Sequence, residues 1–459
     1  MDSIAKGMPP LPIEDAERAE HTRLRRRLLY GKWREDLHKR RYQLFPHVRA
    51  EAQGPVDLSG NTFRASCTAL AVLYEEPPLV VPPAGSLDAE GVAAAMEAGG
   101  YWELMIRGQR DCIGLREWMV RVDSVPDPSA PLGHALVYRP VYPDQVHAEA
   151  MPSSPDTLAL IREPVLRNYR GNMQWTWDEW SIKDPSYPYY RVLDDALRDI
   201  SAEVNADTAE GDAYRWRDED GSPVLPYALY HAERTGYLWD PWEWVELVEG
   251  TLNVGVYWSF WGHVVRNASW PQRYAVGVRV PMDTVEDERV NSGVLDRSRM
   301  AVRHRVVTDP STVIMFESAS EEAGGGQAMI GQWQPGADPQ AMQDAISAYE
   351  RRLANFAGLN PADFQRVDGD PRSGYAMKLT QDGQAKAQRR YLRSFRRGDL
   401  EAIRASAAVL ARALDRPIPT RGYDVQHQIM QPEGQQAQPV AAPLDPNTPP
   451  PPSTESQEG

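Results

Sequence analysis

Apolar residues recur at two different periods along this chain, and the changes of period divide it. Between residues 337 and 357, Met342, Ile346, Tyr349, Leu353 and Phe356 alternate at spacings of four and three, the stripe of a helix with one buried face. Asp338 stands in the N-cap place, Pro339 at the first helical position, and Gly358 at the C-terminal end. A polar loop holding Pro361, Gly369 and Pro371 follows. A helical pattern then runs from Tyr375 to about Leu414, roughly 60 Å at helical rise, with a kink expected where Gly383 and Gly398 weaken it.

Upstream the period shortens to two. Residues 117–123 (EWMVRVD), 134–141 (HALVYRPV), 157–162 (TLALIR) and 172–182 (NMQWTWDEWSI) read as antiparallel strands, and 189–193, 213–217 and 224–231 add more. A strongly charged helical segment precedes them, from Glu14 to about Phe45, with Leu24, Leu28, Leu29 and Leu37 facing inward. Its arginines and lysines fit either a solvated face or contact with a polyanion or an acidic neighbouring subunit. Helices are expected from Asn61 to the Pro77-Pro78 stop, and from Leu87 to about Cys112 with a break near Gly99-Gly100.

Asp240-Pro241-Trp242-Glu243 reads as a capped helix start, with Pro241 at the first position and Glu243 reaching back, for a helix to about Arg266. Its apolar residues spread around most of the circumference, which calls for contacts on several sides. Residues 267–335 form an insertion with strand-like runs at 273–280, 301–307, 313–316 and 329–333. Residues 417–459 are rich in Pro and Gln and are expected to be disordered. The fold class is α+β.

The 459 residues carry a formal net charge of −15, which excludes sequence-independent wrapping of DNA but suits a channel wall that DNA must not stick to. Cys67 and Cys112 are too few for a disulfide framework and, with no signal peptide, read as reduced thiols of a cytosolic chain. The apolar window 245–265 carries Glu246, Glu249, Asn253 and His263, so it reads as a packed helix and not a membrane span. No P-loop motif is present, the Gly324-Gly325-Gly326 run lacks the lysine that would follow, and the histidines show no metal-ligand spacing, so no cofactor or metal is expected. In the segment 175–180 (WTWDEW), carboxylates sit beside tryptophans as in a glycosidase cleft, yet Asp178 and Glu179 on one strand point to opposite faces. Asn267-Ala-Ser matches a glycosylation acceptor, with nothing else pointing to secretion.

The order of capped helix, small β insertion, second helix, exposed loop and very long helix resembles the portal proteins of tailed bacteriophages. Three stretches carry the resemblance: 61–80 (NTFRASCTALAVLYEEPPLV), 221–231 (GSPVLPYALYH) and 371–378 (PRSGYAMK), the last similar to that family's lead-in to its long helix. The resemblance implies a wing (1–239), a first stem helix (240–266), a clip (267–336), a second stem helix (337–357), a tunnel loop (358–374) and a long wing helix (375–416). A Pro/Gln-rich tail (417–459) stands where that family often has a helical crown, so the crown is small or absent.

It further implies a non-catalytic homo-oligomeric ring of about twelve subunits at one capsid vertex. Double-stranded DNA would pass through it, and the terminase large subunit, the major capsid or scaffolding protein and a head–tail adaptor would be its partners. The tunnel-loop residues Asp363, Arg366, Asp368 and Arg372 would face DNA, Arg366 either meeting phosphates or pairing with Asp363 or Asp368. In the clip, Arg297, Arg299, Arg303 and Arg305 would meet terminase or adaptor, or pair between subunits with Asp283, Glu286, Asp287 and Glu288. The location would be the virion, and the host cytoplasm during assembly. The reading kept beside it is a carbohydrate-active enzyme or binding module built on the Trp-rich strands; another ring-forming virion protein such as an adaptor or collar component fits the length less well.

Overall fold

The computed structural model describes residues 13–46, 55–204, 208–269, 273–276, 313–316, 329–332, 338–359 and 374–428. Its contacts divide the chain into two units, one of residues 1–22, 67–241 and 358–459, the other of 23–66 and 242–357.

The first unit carries the larger share of the strands of the α+β fold. Strand β1 (Leu79–Val81) precedes helices α4 (Leu87–Ala98) and α5 (Tyr101–Leu115). Ser86 caps α4, accepting the Ala89 N–H at 3.2 Å, and the two helices part at Gly99–Gly100, where Gly100 takes φ 68°. Strands β2 (Glu117–Pro126), β3 (His134–Val141) and β9 (Tyr227–His231) form a three-stranded antiparallel sheet in the order β3-β2-β9. A five-stranded antiparallel sheet runs in sequence order through β4 (His147–Met151), β5 (Ser154–Tyr169), β6 (Asn172–Ser181), β7 (Tyr189–Leu193) and β8 (Ala209–Glu210). Residues 213–217, expected as a strand, instead follow a 3-10 turn (Gly211–Ala213), and only an isolated bridge joins Arg217 to Pro223.

The long helix α8 (Gly374–Leu414) packs on β9 and β2 and is helical throughout, Gly383 and Gly398 included. The reason for Gly398 is packing: a Cβ there would lie 2.4 Å from the Tyr230 ring. Beside it sits a buried polar hub. Asp399 accepts the hydroxyls of Tyr74 (2.7 Å) and Tyr230 (2.8 Å) on one carboxylate oxygen, and meets His427 Nε2 at 2.9 Å on the other. Residues 417–428, part of the stretch expected to be disordered, are therefore ordered. Strand β13 (Asp424–Gln426) pairs antiparallel with β1, Arg416 bonds Asp88 at 2.7 Å, and Arg421 bonds Asp218 at 2.9 Å.

In the second unit α6 (Val245–Ser269) lies against α7 (Pro339–Phe356), and strands β10 (Arg273–Val276), β11 (Val313–Phe316) and β12 (Met329–Gln332) form a sheet in the order β11-β10-β12. The helix predicted to start at Asp240 starts at Val245. The Asp240 N–H donates to Glu117 Oε1 at 2.8 Å, and Trp244 stands at φ 63°, outside helical geometry.

The charged N-terminal segment is two helices, not one. Helix α1 (Ile13–Leu29) and helix α2 (Arg34–Leu44) are broken at Gly31, φ 70°. Helix α3 (Thr62–Leu70) ends well short of the proline pair, and α1 and α3 each run from one unit into the other. The strand predicted at 301–307 lies outside the described residues.

Candidate functional site

The arrangement that sets the second unit apart is the α6–α7 pair. Gly250 lies under Leu353, Trp258 Nε1 donates to Glu350 at 2.8 Å, and Trp261 Nε1 donates to the Pro339 carbonyl at 3.0 Å, so the helices run antiparallel. Asp338 caps α7, its side chain accepting the Gln340 N–H at 3.0 Å, and Gly358 follows the helix at φ 76°. Between the two helices the chain makes the β10–β12 sheet, and after α7 it leads through residues 358–373 into α8.

The multi-sided burial of α6 is met by the chain itself. Trp33 and Leu37 press on Gly255, where a Cβ would lie 2.7 Å from the Trp33 ring. Arg40 bonds Asn253 at 2.8 Å and pairs with Glu249 at 2.8 Å. Thr62 and Thr251 share a hydroxyl bond of 2.7 Å, and Ser259 accepts the Asp57 N–H at 2.8 Å. Burial around this helix therefore gives no argument for packing between subunits. On α7, Ile346 and Leu353 are buried as the stripe predicts, whereas Phe356 is 48% exposed and Asp344, Ala345, Ala348 and Arg352 face solvent. The helix thus has one wall side and one open side.

Of the site residues read from the sequence, Asp363, Arg366, Asp368 and Arg372 lie outside the described residues, as do Arg297, Arg299, Arg303 and Arg305.

The Trp-rich strand is fully placed. On β6, Trp177 and Trp180 are buried and Trp175 is half-buried. Asp178 bonds Arg121 at 2.9 Å and also Arg167, while Glu179 on the opposite face bonds Arg191 Nε at 2.7 Å and also Arg162. Glu163 joins the first cluster through Arg139 (2.7 Å) and the Tyr227 hydroxyl (2.8 Å). Burial opposes the charge of Arg121, but Tyr227, Asp123, Glu163 and Asp178 together hold its pKa well above the ordinary value. Each β6 carboxylate is thus committed to two guanidinium groups, an arrangement that ties neighbouring strands together. The pattern shows Asp178 and Glu179 but not their partners; only the cross-strand register places Arg162 opposite Glu179 and Glu163 opposite Asp178.

Among the described residues no cluster of His, Cys, Asp or Glu has the arrangement to hold a metal ion, and no helix is long and apolar enough to cross a membrane. Both cysteines are buried, and burial pushes the Cys112 thiol up.

No family model matches the chain, and no curated protein does. Among solved structures, a chain of the "Virion of native gene transfer agent (GTA) particle" superposes with a TM-score of 0.36 at 11% identity, covering 82% of this chain and 80% of that one. Superposition at that level carries no functional inference.

Proposed function

We propose that the chain is the subunit of a tailed-phage portal, a closed ring of about twelve copies at one vertex of the capsid. The observation that supports this reading is the order and direction of the elements. An antiparallel helix pair brackets a small β unit, and after α7 the chain leads through residues 358–373 to a helix of 41 residues that begins within PRSGYAMK. In a ring the open side of α7 turns to the lumen while its Ile346–Leu353 side rests on α6.

The role is mechanical. The terminase large subunit supplies the work of packaging, the ring guides double-stranded DNA inward and later outward, and the major capsid or scaffolding protein and a head–tail adaptor bind its outside and its clip. An acidic wall suits that task, because phosphates that bind tightly do not slide. The loop residues Asp363, Arg366, Asp368 and Arg372 then face the DNA, and Arg297, Arg299, Arg303 and Arg305 serve the clip contacts.

Immunogold labelling of the C-terminal tail on assembled particles tests the placement. A single labelled vertex per particle is expected, and label spread over the shell refutes the reading. A ring in which Asp363, Arg366 and Asp368 are all replaced by Ala is expected to assemble and to package less DNA; undiminished packaging removes the loop from the mechanism.

A further inference from the structure

The chain carries two oppositely charged segments that neither the helix pair nor the loop accounts for. Between Arg23 and Pro46 stand nine lysines and arginines against two acids, in a protein of net charge −15. Part of that charge is spent locally: Arg25 and Arg41 are buried, Arg27 bonds Asp36 at 2.7 Å, and Arg40 pairs with Glu249. Lys32, Arg34 and Lys39 are exposed and make no ion pair among the described residues. Arg34 and Lys39 flank Tyr42, which is 64% exposed, on the outer face of α2, with Glu35 the acid there. Burial first, and then the neighbouring Arg41 and Arg34, hold His38, on the same face, below the ordinary histidine pKa.

The counterpart runs from Asp194 to Asp220, with ten acids against three arginines. It flanks β8, an edge strand of the five-stranded sheet, in sequence, and part of its charge is likewise spent locally: Arg198 pairs with Asp194, Arg170 with Glu203, Arg404 with Asp218 and Arg421 with Asp220. Asp195 and Asp212, near opposite ends of the β7–β8 ladder, are exposed and form no ion pair among the described residues.

We infer that these two surfaces meet between neighbouring copies, the basic α2 face of one subunit docking on the acidic β7–β8 margin of the next. The inference rests on the ring reading and names the contact that closes the ring. A heterologous ring joins two unlike patches of the same chain, and complementary charge sets their register and suppresses wrong pairings. Tyr42 supplies an aromatic anchor within the rim of charge. Double-stranded DNA is the weaker fit for the basic face, since few unpaired cations are offered and Glu35 lies among them.

Charge reversal tests the pairing. One variant carries Lys32→Glu, Arg34→Glu and Lys39→Glu, another Asp195→Lys and Asp212→Lys, and a third carries both sets. Assembly of the full chain is followed by mass photometry across a concentration series, with circular dichroism melting to confirm that each variant is folded. Either set alone is expected to raise the concentration for half-assembly by at least about ten-fold, and the combined variant to recover most of that loss. Neutral versions with Gln and Asn at the same positions are expected to fall between, and rings of the parent chain to weaken as salt rises.

Rings of parent stability from either folded reversal variant overturn the contact while leaving the ring reading in place. So does a combined variant that recovers nothing. A basic-face reversal that assembles normally but no longer retains a short DNA duplex overturns it in favour of nucleic acid. A parent chain that forms no ring at any concentration overturns the contact together with the reading beneath it.

Discussion

Gly398→Ala is expected to destabilise the first unit, against the ordinary rule for helices. Replacing a glycine in the interior of a helix by alanine normally gains about 1 kcal/mol, because alanine loses less backbone freedom on folding. At Gly398 the new methyl would sit 2.4 Å from two carbons of the Tyr230 ring and 2.9 Å from a third. That ring has no room to retreat. Tyr230 is fully buried, its hydroxyl donates to Asp399 at 2.8 Å and meets that of Tyr101, and Phe395 lies 5.8 Å away centre to centre.

Overpacking of this kind costs about 1–3 kcal/mol, and a displaced hydroxyl forfeits a bond to a charged group worth about 1.5–3 kcal/mol. Set against the propensity gain, the net is a loss of about 3 kcal/mol, or on the order of 5–10 °C in the melting temperature of a unit this size. Gly262→Ala on α6 is the control, since nothing lies within 4 Å of its Cβ and the position is exposed; it is expected to stabilise by up to about 1 kcal/mol. Circular dichroism melts compare the two variants, and native-state hydrogen exchange assigns each effect to its unit. A Gly398→Ala protein that melts at or above the parent temperature refutes the packing argument.

His231 gives a pH dependence. Burial, helped by the nearby Arg397, pushes its pKa down to about 4 from the ordinary 6.5, so the unfolded chain takes up the proton first as pH falls. Its contribution is complete above about pH 6.5 and is lost between there and about pH 4, roughly 3 kcal/mol in all. The urea midpoint of His231→Gln is expected to fall less across that window than the parent's; identical slopes contradict the assignment. Arg121→Ala leaves Asp178 and Glu163 short of a buried partner and is expected to cost about 3–5 kcal/mol, whereas Arg170→Ala, which removes an exposed pair with Glu203, should leave the urea midpoint unmoved. Equal effects of those two variants would contradict the burial argument. His427→Ala removes the buried bond to Asp399, so amides of β13 should exchange faster while the bulk of α8 stays protected; unchanged exchange at residues 424–426 means that β1 and the Arg396–Asp424 pair suffice to hold the strand.

What the sequence made legible was local. The limits of β3 and β7 follow from alternation bounded by breakers, and the start of α7 follows from Asp338 and Pro339. The division at Gly99–Gly100 follows from glycine's tolerance of positive φ. What stayed hidden was set by distant partners. Asp240, Pro241 and Glu243 form a sound capping signature, but Glu117 takes the Asp240 N–H and the helix starts at Val245.

The Pro-rich stretch after α8 has no local reason to be ordered. Asp88, Asp218, Arg396 and Asp399, all far from it in sequence or on the preceding helix, hold it in place. The apolar residues around α6 were correctly read as needing several partners, yet periodicity cannot tell a partner in the same chain from one in the next. The candidate site was the least legible part, because Asp363, Arg366, Asp368, Arg372 and the clip arginines took their roles from a resemblance and not from a chemistry their own spacing demands.

The measurement that bears most directly on the ring is the mass and shape of the purified full chain, by size-exclusion light scattering with negative-stain imaging. Closed particles of about a dozen copies with a central hole are expected. A monomer or dimer that stays so at every concentration, and above all one that binds an oligosaccharide through Trp175, would contradict it.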